Sequence, residues 1–381
     1  DLTVTGVQTC ALPISINILK DKIKSLMSDF TEIQNVEIDL DSKGEFSLYR
    51  VIEPALLGYI FDKILGFKVY YRIFEKINYI INFQYKDTFG FVTHRKLSYT
   101  LGIEDKYKEE IIDILLKANL LLEKLFFEFA KVALKSDNYM LSNEIEHYKN
   151  RLAYFKVQVK DKITIVDKMN SGEIEHVKIA KHKNGATYHY LINDVLREIT
   201  YNAEAYIDIA YSYIEHILTL LAAFCKYEKP FDKVIKMGWL SKFDLVLGQG
   251  NEEKRIKENL NNFKQVYRNR LTHGMFSNEQ KLFITIDGLG NYPFYIGNQL
   301  KGFKQDKFIN IDTFNQFDKL LTEFDNLCEE KFELVKMLID SEISIHLDID
   351  KYKKALQSKA EMESFIDYIS YIQDNQLNMD W

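Results

Sequence analysis

Cysteine is nearly absent. The 381 residues contain three, with no Cys-x-x-Cys pair among them. Neither a disulfide framework nor a structural zinc site can be built on that count, and a reducing cytoplasm is the expected setting. Proline (4) and glycine (16) are scarce as well, which argues against collagen-like, linker-rich and many-turned β architectures. Arginine is rare, eight residues against 42 lysines. Abundant Ile, Asn, Tyr and Phe beside that lysine suit an AT-rich coding sequence, so lysine richness carries no functional signal and each arginine is informative. There is no excess of positive charge: 50 basic residues face 56 acidic ones, a net charge of −6. A protein that grips nucleic acid by bulk charge is excluded, and only a local basic groove remains open. No uncharged apolar run reaches membrane-spanning length. The richest stretches, 111–134 and 207–225, are broken by Lys117, Glu123, Lys124 and Glu128, and by Asp208, Glu215 and His216. They read as buried helices, with no membrane partner. What is present is an ordinary globular composition, 46% hydrophobic and 28% charged, long enough for two domains.

Residues 1–14 match nothing that follows them. Val4 to Ile14 back-translates, codon for codon, into a sequencing-library adapter, and the segment is set aside from fold reasoning as scars are. The native chain is then expected to begin near Ser15 or to lack its start. Cys10 falls in this segment, leaving Cys225 and Cys328.

Residues 15–190 read as an N-terminal α+β module. Short helices, including Pro54–Leu65, precede a β-hairpin over 77–99 turning at Lys86-Asp87. A long helix follows over Asp105–Lys135, with apolar residues at 111, 114, 115, 118, 122, 125 and 129. Ser142–Val157 continues helical. The β-branched run 162–168, the turn Asn170-Ser171-Gly172 and residues 173–181 predict a second hairpin, with a short strand after Asn184-Gly185. From Asn193 the pattern is helical: a piece capped by Asn193 or Asp194, then Tyr201–Tyr227 stopped by Pro230, a shorter helix over 231–247, and Glu252–His273 closed by Gly274. A small hairpin over 281–296 turns through residues 288–293, and two amphipathic helices cover Asp312–Ile339 and Asp348–Asp374. The expected fold class is therefore mainly α (α+β), with a helical domain at 191–345 and a C-terminal helix in 346–381.

One constellation carries chemistry. Residues 261–276 contain Arg268-Asn269-Arg270-Leu271-Thr272-His273, an Arg-x4-His spacing late in a helix that ends at Gly274. Cleaving RNA without a metal requires a proton taken from the 2′-OH, a proton given to the leaving 5′-oxygen, and positive charge on the crowded phosphorane. Histidine titrates near neutrality and suits both transfers. Arginine stays charged and offers phosphate oxygens a planar fork. Asn269 and His273 are i,i+4 and share a helical face. Arg268 and His273 lie about 140° apart on an ideal α-helix, so Arg268 must reach around it. Across 251–275 six basic residues face three acidic ones, a local excess in an acidic protein.

YRNRLTHG resembles the signature of the HEPN superfamily of helical-bundle ribonucleases: an arginine, a polar residue, a short spacer and a histidine near a helix end. The long apolar helix at 209–224 is similar to the first core helix of that family, and the resemblance covers about residues 190–340. It implies a HEPN-like helical bundle and a metal-independent endoribonuclease with no cofactor. The catalytic residues would be Arg268, His273 and Asn269, and RNA would also meet Arg270, Lys264 and Tyr267. One histidine per chain is short of an acid and a base, so the resemblance implies a homodimer with a composite site, in a toxin-like, abortive-infection or antiviral role. The extra module would sense or restrain the nuclease, by itself or with a regulatory partner. There is one departure: related toxins carry a tyrosine two residues after the histidine, modified by adenylylation, and here that position is Met275.

Plainer readings stand beside these. A histidine at a helix C-terminus is a common stabilising placement, and the motif then is accidental. A HEPN-like module could also bind RNA, nucleotide or protein without cleaving. Glu215 and His216 are expected to form a hydrogen-bonded polar pair lining the bundle. His94, Arg95 and Lys96 are expected on a solvated strand face. The scatter of His176, His182 and His189 does not suit a metal.

Overall fold

The computed structural model describes residues 14–33, 44–72, 75–183, 185–227, 230–268, 280–287, 290–296 and 309–378. The fold is mainly helical, of the α+β class. It divides into two compact units, residues 1–136 with 367–381, and residues 137–366.

In the first unit, α1 (Ile14–Leu26), β1 (Phe30–Glu32), β2 (Gly44–Ser47), α2 (Pro54–Tyr59, continued by a π turn, Ile60–Leu65) and β3 (Tyr70–Tyr71) precede a meander. The meander is β4 (Ile77–Tyr85), β5 (Thr88–Arg95) and β6 (Ser98–Ile103), and α3 (Asp105–Ser136) follows. The antiparallel sheet runs β1-β4-β5-β6-β2, with β3 on β4. Tyr85 pairs with Thr88 across the expected Lys86-Asp87 turn. Alternation sets the buried face of β4, since Tyr79, Ile81, Phe83 and Tyr85 all point inward. On α3 the buried residues Ile111, Leu115, Ala118, Leu122 and Leu125 recur every three or four positions, and they share one core with the sheet, α1 and α2. His94 is half-buried between the rings of Tyr79 and Tyr99, each 5.5 Å away, and so is not the solvated position expected. Its basicity is lowered by burial.

The second unit contains β7 (Met140–Leu141), α4 (Ile145–Asn170), β8 (Val177–His182), β9 (Gly185–Tyr190), α5 (Leu191–Ala222), α6 (Phe231–Ile235), α7 (Trp239–Leu247) and α8 (Asn251–Phe263). A π turn, Lys264–Arg268, extends α8, and β10 (Gln280–Ile286), β11 (Gly290–Ile296), α9 (Ile311–Asp340) and β12 (Ile345–His346) follow. The last helix is α10 (Lys359–Asn378). Several expectations need correction. Residues 162–168 are helical, and the hairpin is β8 with β9. Leu152, Val159, Val166 and Met169 are buried, spaced seven and three apart, so the α5 contact gives this stretch a helical period that outweighs its β-branched composition. The helix expected to start at Tyr201 begins at Leu191, and Asp194, instead of capping it, pairs from its first turn with Arg197 at 2.8 Å. The boundary expected at residue 190 lies inside this unit, because α4 runs along α5. The segment 346–381 is shared between the two units.

Four helices of this unit pack as a bundle. Tyr206 and Tyr213 on α5 each donate a hydrogen bond, at 2.6 Å, to Asp318 and Asp325 on α9. The spacing is seven residues on both helices, so α5 and α9 run parallel. α4 is antiparallel to both. The Glu144 amide donates to His216 Nε2 at 2.9 Å and Lys162 pairs with Glu198, while Lys149 pairs with Asp340 at 2.8 Å and Lys156 with Asp318 at 2.7 Å. α8 is antiparallel to α9 through Glu253–Lys331 at 2.6 Å and Arg255–Glu323 at 2.9 Å. α4 and α8 thus flank the α5–α9 pair from opposite sides. The face of α5 turned away from α9 keeps Asp208 and Ser212 partly exposed. Among the described residues no helix is long and apolar enough to cross a membrane.

A Cβ at Gly90 would lie 2.6 Å from the Phe83 ring and 2.8 Å from the Ile103 side chain. Gly90→Ala is therefore expected to lower stability by about 1–3 kcal/mol, read as a lower denaturation midpoint with an unchanged denaturant slope.

Candidate functional site

Arg268 is the last described residue of the helix that begins at Asn251. Up to Phe263 the helix is α, and from Lys264 to Arg268 it is π. The sequence implied one continuous α-helix here. The change coincides with a side chain reaching the backbone: the buried Tyr211 hydroxyl on α5 donates to the Leu260 carbonyl at 2.6 Å. The same carbonyl still accepts the Lys264 amide, so the tyrosine is a second donor at the turn where the winding changes; π turns recur at functional positions.

The π turn delivers Arg268 to the outer face of α5, where its Nε donates to Asp208 Oδ1 at 3.0 Å. The guanidinium side chain is 27% exposed and the carboxylate 45%. One turn earlier, Lys264 leans inward, its Nζ 5.2 Å from the Trp239 ring and 5.7 Å from the Tyr211 ring. Burial lowers its pKa, the Arg268 charge lowers it further, and Glu215 partly opposes this. Lys264, expected at an RNA surface, is thus a half-buried cation stacked on two aromatic rings. Tyr267 packs on Phe263 (5.5 Å), which packs on Phe317 (5.3 Å), so it sits at the outer end of an aromatic stack from the core. Asn269, Arg270 and His273 lie outside the described residues.

No family model, curated protein or solved structure matches the chain.

The residues that build this site lie far apart in the sequence. Lys242 on α7 has a side chain only 3% exposed; it donates to Thr219 Oγ1 at 2.9 Å and reaches Glu215 at 3.5 Å. Asp208, Tyr211, Trp239 and Lys242 were not singled out as site residues. Asp208 and Glu215 stand out only as acids breaking an apolar run, and nothing in the local pattern names their cationic partners. Glu215 and His216 do not form the expected pair lining the bundle: Glu215 is exposed and reaches Lys242, and His216 accepts the Glu144 amide. Accepting the Glu144 amide requires an unprotonated Nε2. Burial holds the His216 pKa below its ordinary 6.5, with Glu144 opposing and Lys242 assisting. Among the described residues no three His, Cys, Asp or Glu side chains are grouped so as to hold a metal ion.

Two measurements check this geometry. Tyr211→Phe leaves the Leu260 carbonyl with the Lys264 amide alone and is expected to cost about 0.5–1.5 kcal/mol, measured by urea unfolding. For His216, the folded pKa is depressed, so its stabilising contribution is present above about pH 6.5 and is lost as pH falls through the lower folded value. The thermal midpoint should fall between neutral and mildly acid pH, and His216→Gln should flatten that slope. An identical slope in the variant would exclude His216 as its source.

Proposed function

We propose that this protein is a metal-independent endoribonuclease of HEPN type. Support comes from a partly exposed arginine, the first residue of an Arg-Asn-x3-His sequence, carried on the last described turn of a bundle helix and held by Asp208 over the open face of α5. A charged fork at such a position can bind a scissile phosphate and stabilise the charge that grows on it. In this reading His273 acts as acid or base and Asn269 orients the phosphate, with Arg270 and Tyr267 meeting the flanking RNA. A base removes the 2′-OH proton, the 2′-oxygen attacks phosphorus, the P–O5′ bond breaks, and an acid protonates O5′, leaving a 2′,3′-cyclic phosphate. One chain presents one such histidine, so a homodimer with facing sites supplies both proton-transfer groups. The biological setting that fits is a toxin-like or antiviral response, by likeness of motif alone.

The ion pair to Asp208 favours a second reading, in which Arg268 is structural and the bundle binds RNA or a partner without cleaving it. Stability separates the two. A half-exposed pair contributes at most about 1 kcal/mol, so Arg268→Ala should melt close to wild type. Cleavage of a labelled RNA in EDTA should nevertheless fall by about 10²–10³-fold in Arg268→Ala and by about 10²–10⁴-fold in His273→Ala. Cleavage that survives both substitutions, or that EDTA abolishes, would sink the proposal.

A further inference from the structure

A cavity of about 500 Å³ opens between α4 and α5, lined by His147, Asn150, Arg151, Tyr154, Phe155 and Ile209. Its position follows from helix register. Glu144 meets His216 and Lys162 meets Glu198, which sets Arg151 opposite Ile209. Ile209 adjoins Asp208, the residue that holds Arg268, and successive side chains point about 100° apart round a helix. The cavity and the Arg268 site therefore lie on neighbouring faces of α5, the cavity against α4 and Arg268 on the π turn after α8.

The lining is chemically specific. Lys149 and Lys156 on α4 are committed to Asp340 and Asp318, whereas Arg151 makes no ion pair among the described residues. His147 lies one turn before Arg151, on the same face. Tyr154 meets Phe155 in an edge-to-face contact, at 5.1 Å and 81°, and at 59% exposure most of it is open to solvent. An uncommitted guanidinium suits a phosphate, an open aromatic face suits a base, and the Asn150 amide can both donate to and accept from a base edge. A base is available to such a ring only where the strand is unpaired, because a duplex keeps its bases stacked inside.

We infer that the α4 wall is a subsite for one unpaired nucleotide of an RNA strand, stacked on Tyr154 with a phosphate on Arg151, and that it feeds the neighbouring linkage to Arg268. The last clause rests on the nuclease reading; the binding site does not. The test uses the full chain and a short unstructured 2′-O-methyl oligoribonucleotide, which lacks the attacking hydroxyl, with anisotropy as the readout. Tyr154→Ala should weaken binding about tenfold while Tyr154→Phe stays near wild type. Arg151→Ala should weaken binding and reduce the slope of log affinity against log salt by about 0.7. With cleavable RNA, both losses should appear in KM with kcat unchanged. These side chains are exposed, so melting curves should match wild type. Unchanged affinity and KM in the variants, or a preference for duplex over single strand, would overturn the subsite even if Arg268-dependent cleavage is found. Groove-dependent binding with no cleavage by wild type would instead overturn the nuclease reading and leave the subsite standing. A wild-type chain that binds no RNA would overturn both.

Discussion

Two tyrosine–aspartate hydrogen bonds, Tyr206 to Asp318 and Tyr213 to Asp325, set the frame on which the helical unit is arranged. Both span α5 and α9, and both are seven residues apart on each helix, so one register satisfies them together. A slip of one residue would strand carboxylates in the interior, where a lone charge is costly. Burial already raises the pKa of Asp325, and the Tyr213 hydroxyl, Lys336 and Lys149 oppose that rise. With the central pair held parallel, α4 and α8 can each run antiparallel along both members. The face of α5 opposite α9 is then left between two walls.

The described residues of the proposed site meet at or beside that face. Tyr211 reaches from α5 to the α8 backbone where α winding becomes π, and the widened turn carries Arg268 to Asp208. Lys264, half-buried against Trp239 and Tyr211, places a second positive charge behind the guanidinium. The acidic side chains of this face are largely answered in place, Asp208 by Arg268 and Glu215 by Lys242. Among the described residues Arg151 makes no ion pair. Holding Arg268 by Asp208 fixes the fork but also sets a carboxylate beside any phosphate that comes to it. The same contact that orients the guanidinium thus limits its attraction for the ligand.

The first unit is organised around its sheet. Its sheet alternates cleanly along β4, its helices α1 and α3 present apolar stripes, and the Phe83 ring and Ile103 side chain close over Gly90.

Much of this was legible in the residue pattern. Alternation in 77–99 and the period of three to four in 105–135 depend only on neighbouring residues, and the sheet and α3 appear where those patterns lie. Arg268 was conspicuous because arginine is rare and the Arg-Asn-x3-His spacing is unusual. Residues 162–168 were misread because their composition favours strand, whereas burial against α5, an interaction with a segment dozens of residues away, made them helix. The π turn, the Asp208–Arg268 pair, the aromatic seat of Lys264 and the groove walled by α4 were equally beyond local reading. Each joins positions separated by tens of residues, and the sequence holds no term for that distance. Helical identity, charge balance and the presence of a cationic motif were determined by the order of residues alone. Which acid meets that cation, and which aromatic side chains face it, was decided only when packing of α4, α5, α8 and α9 fixed their registers.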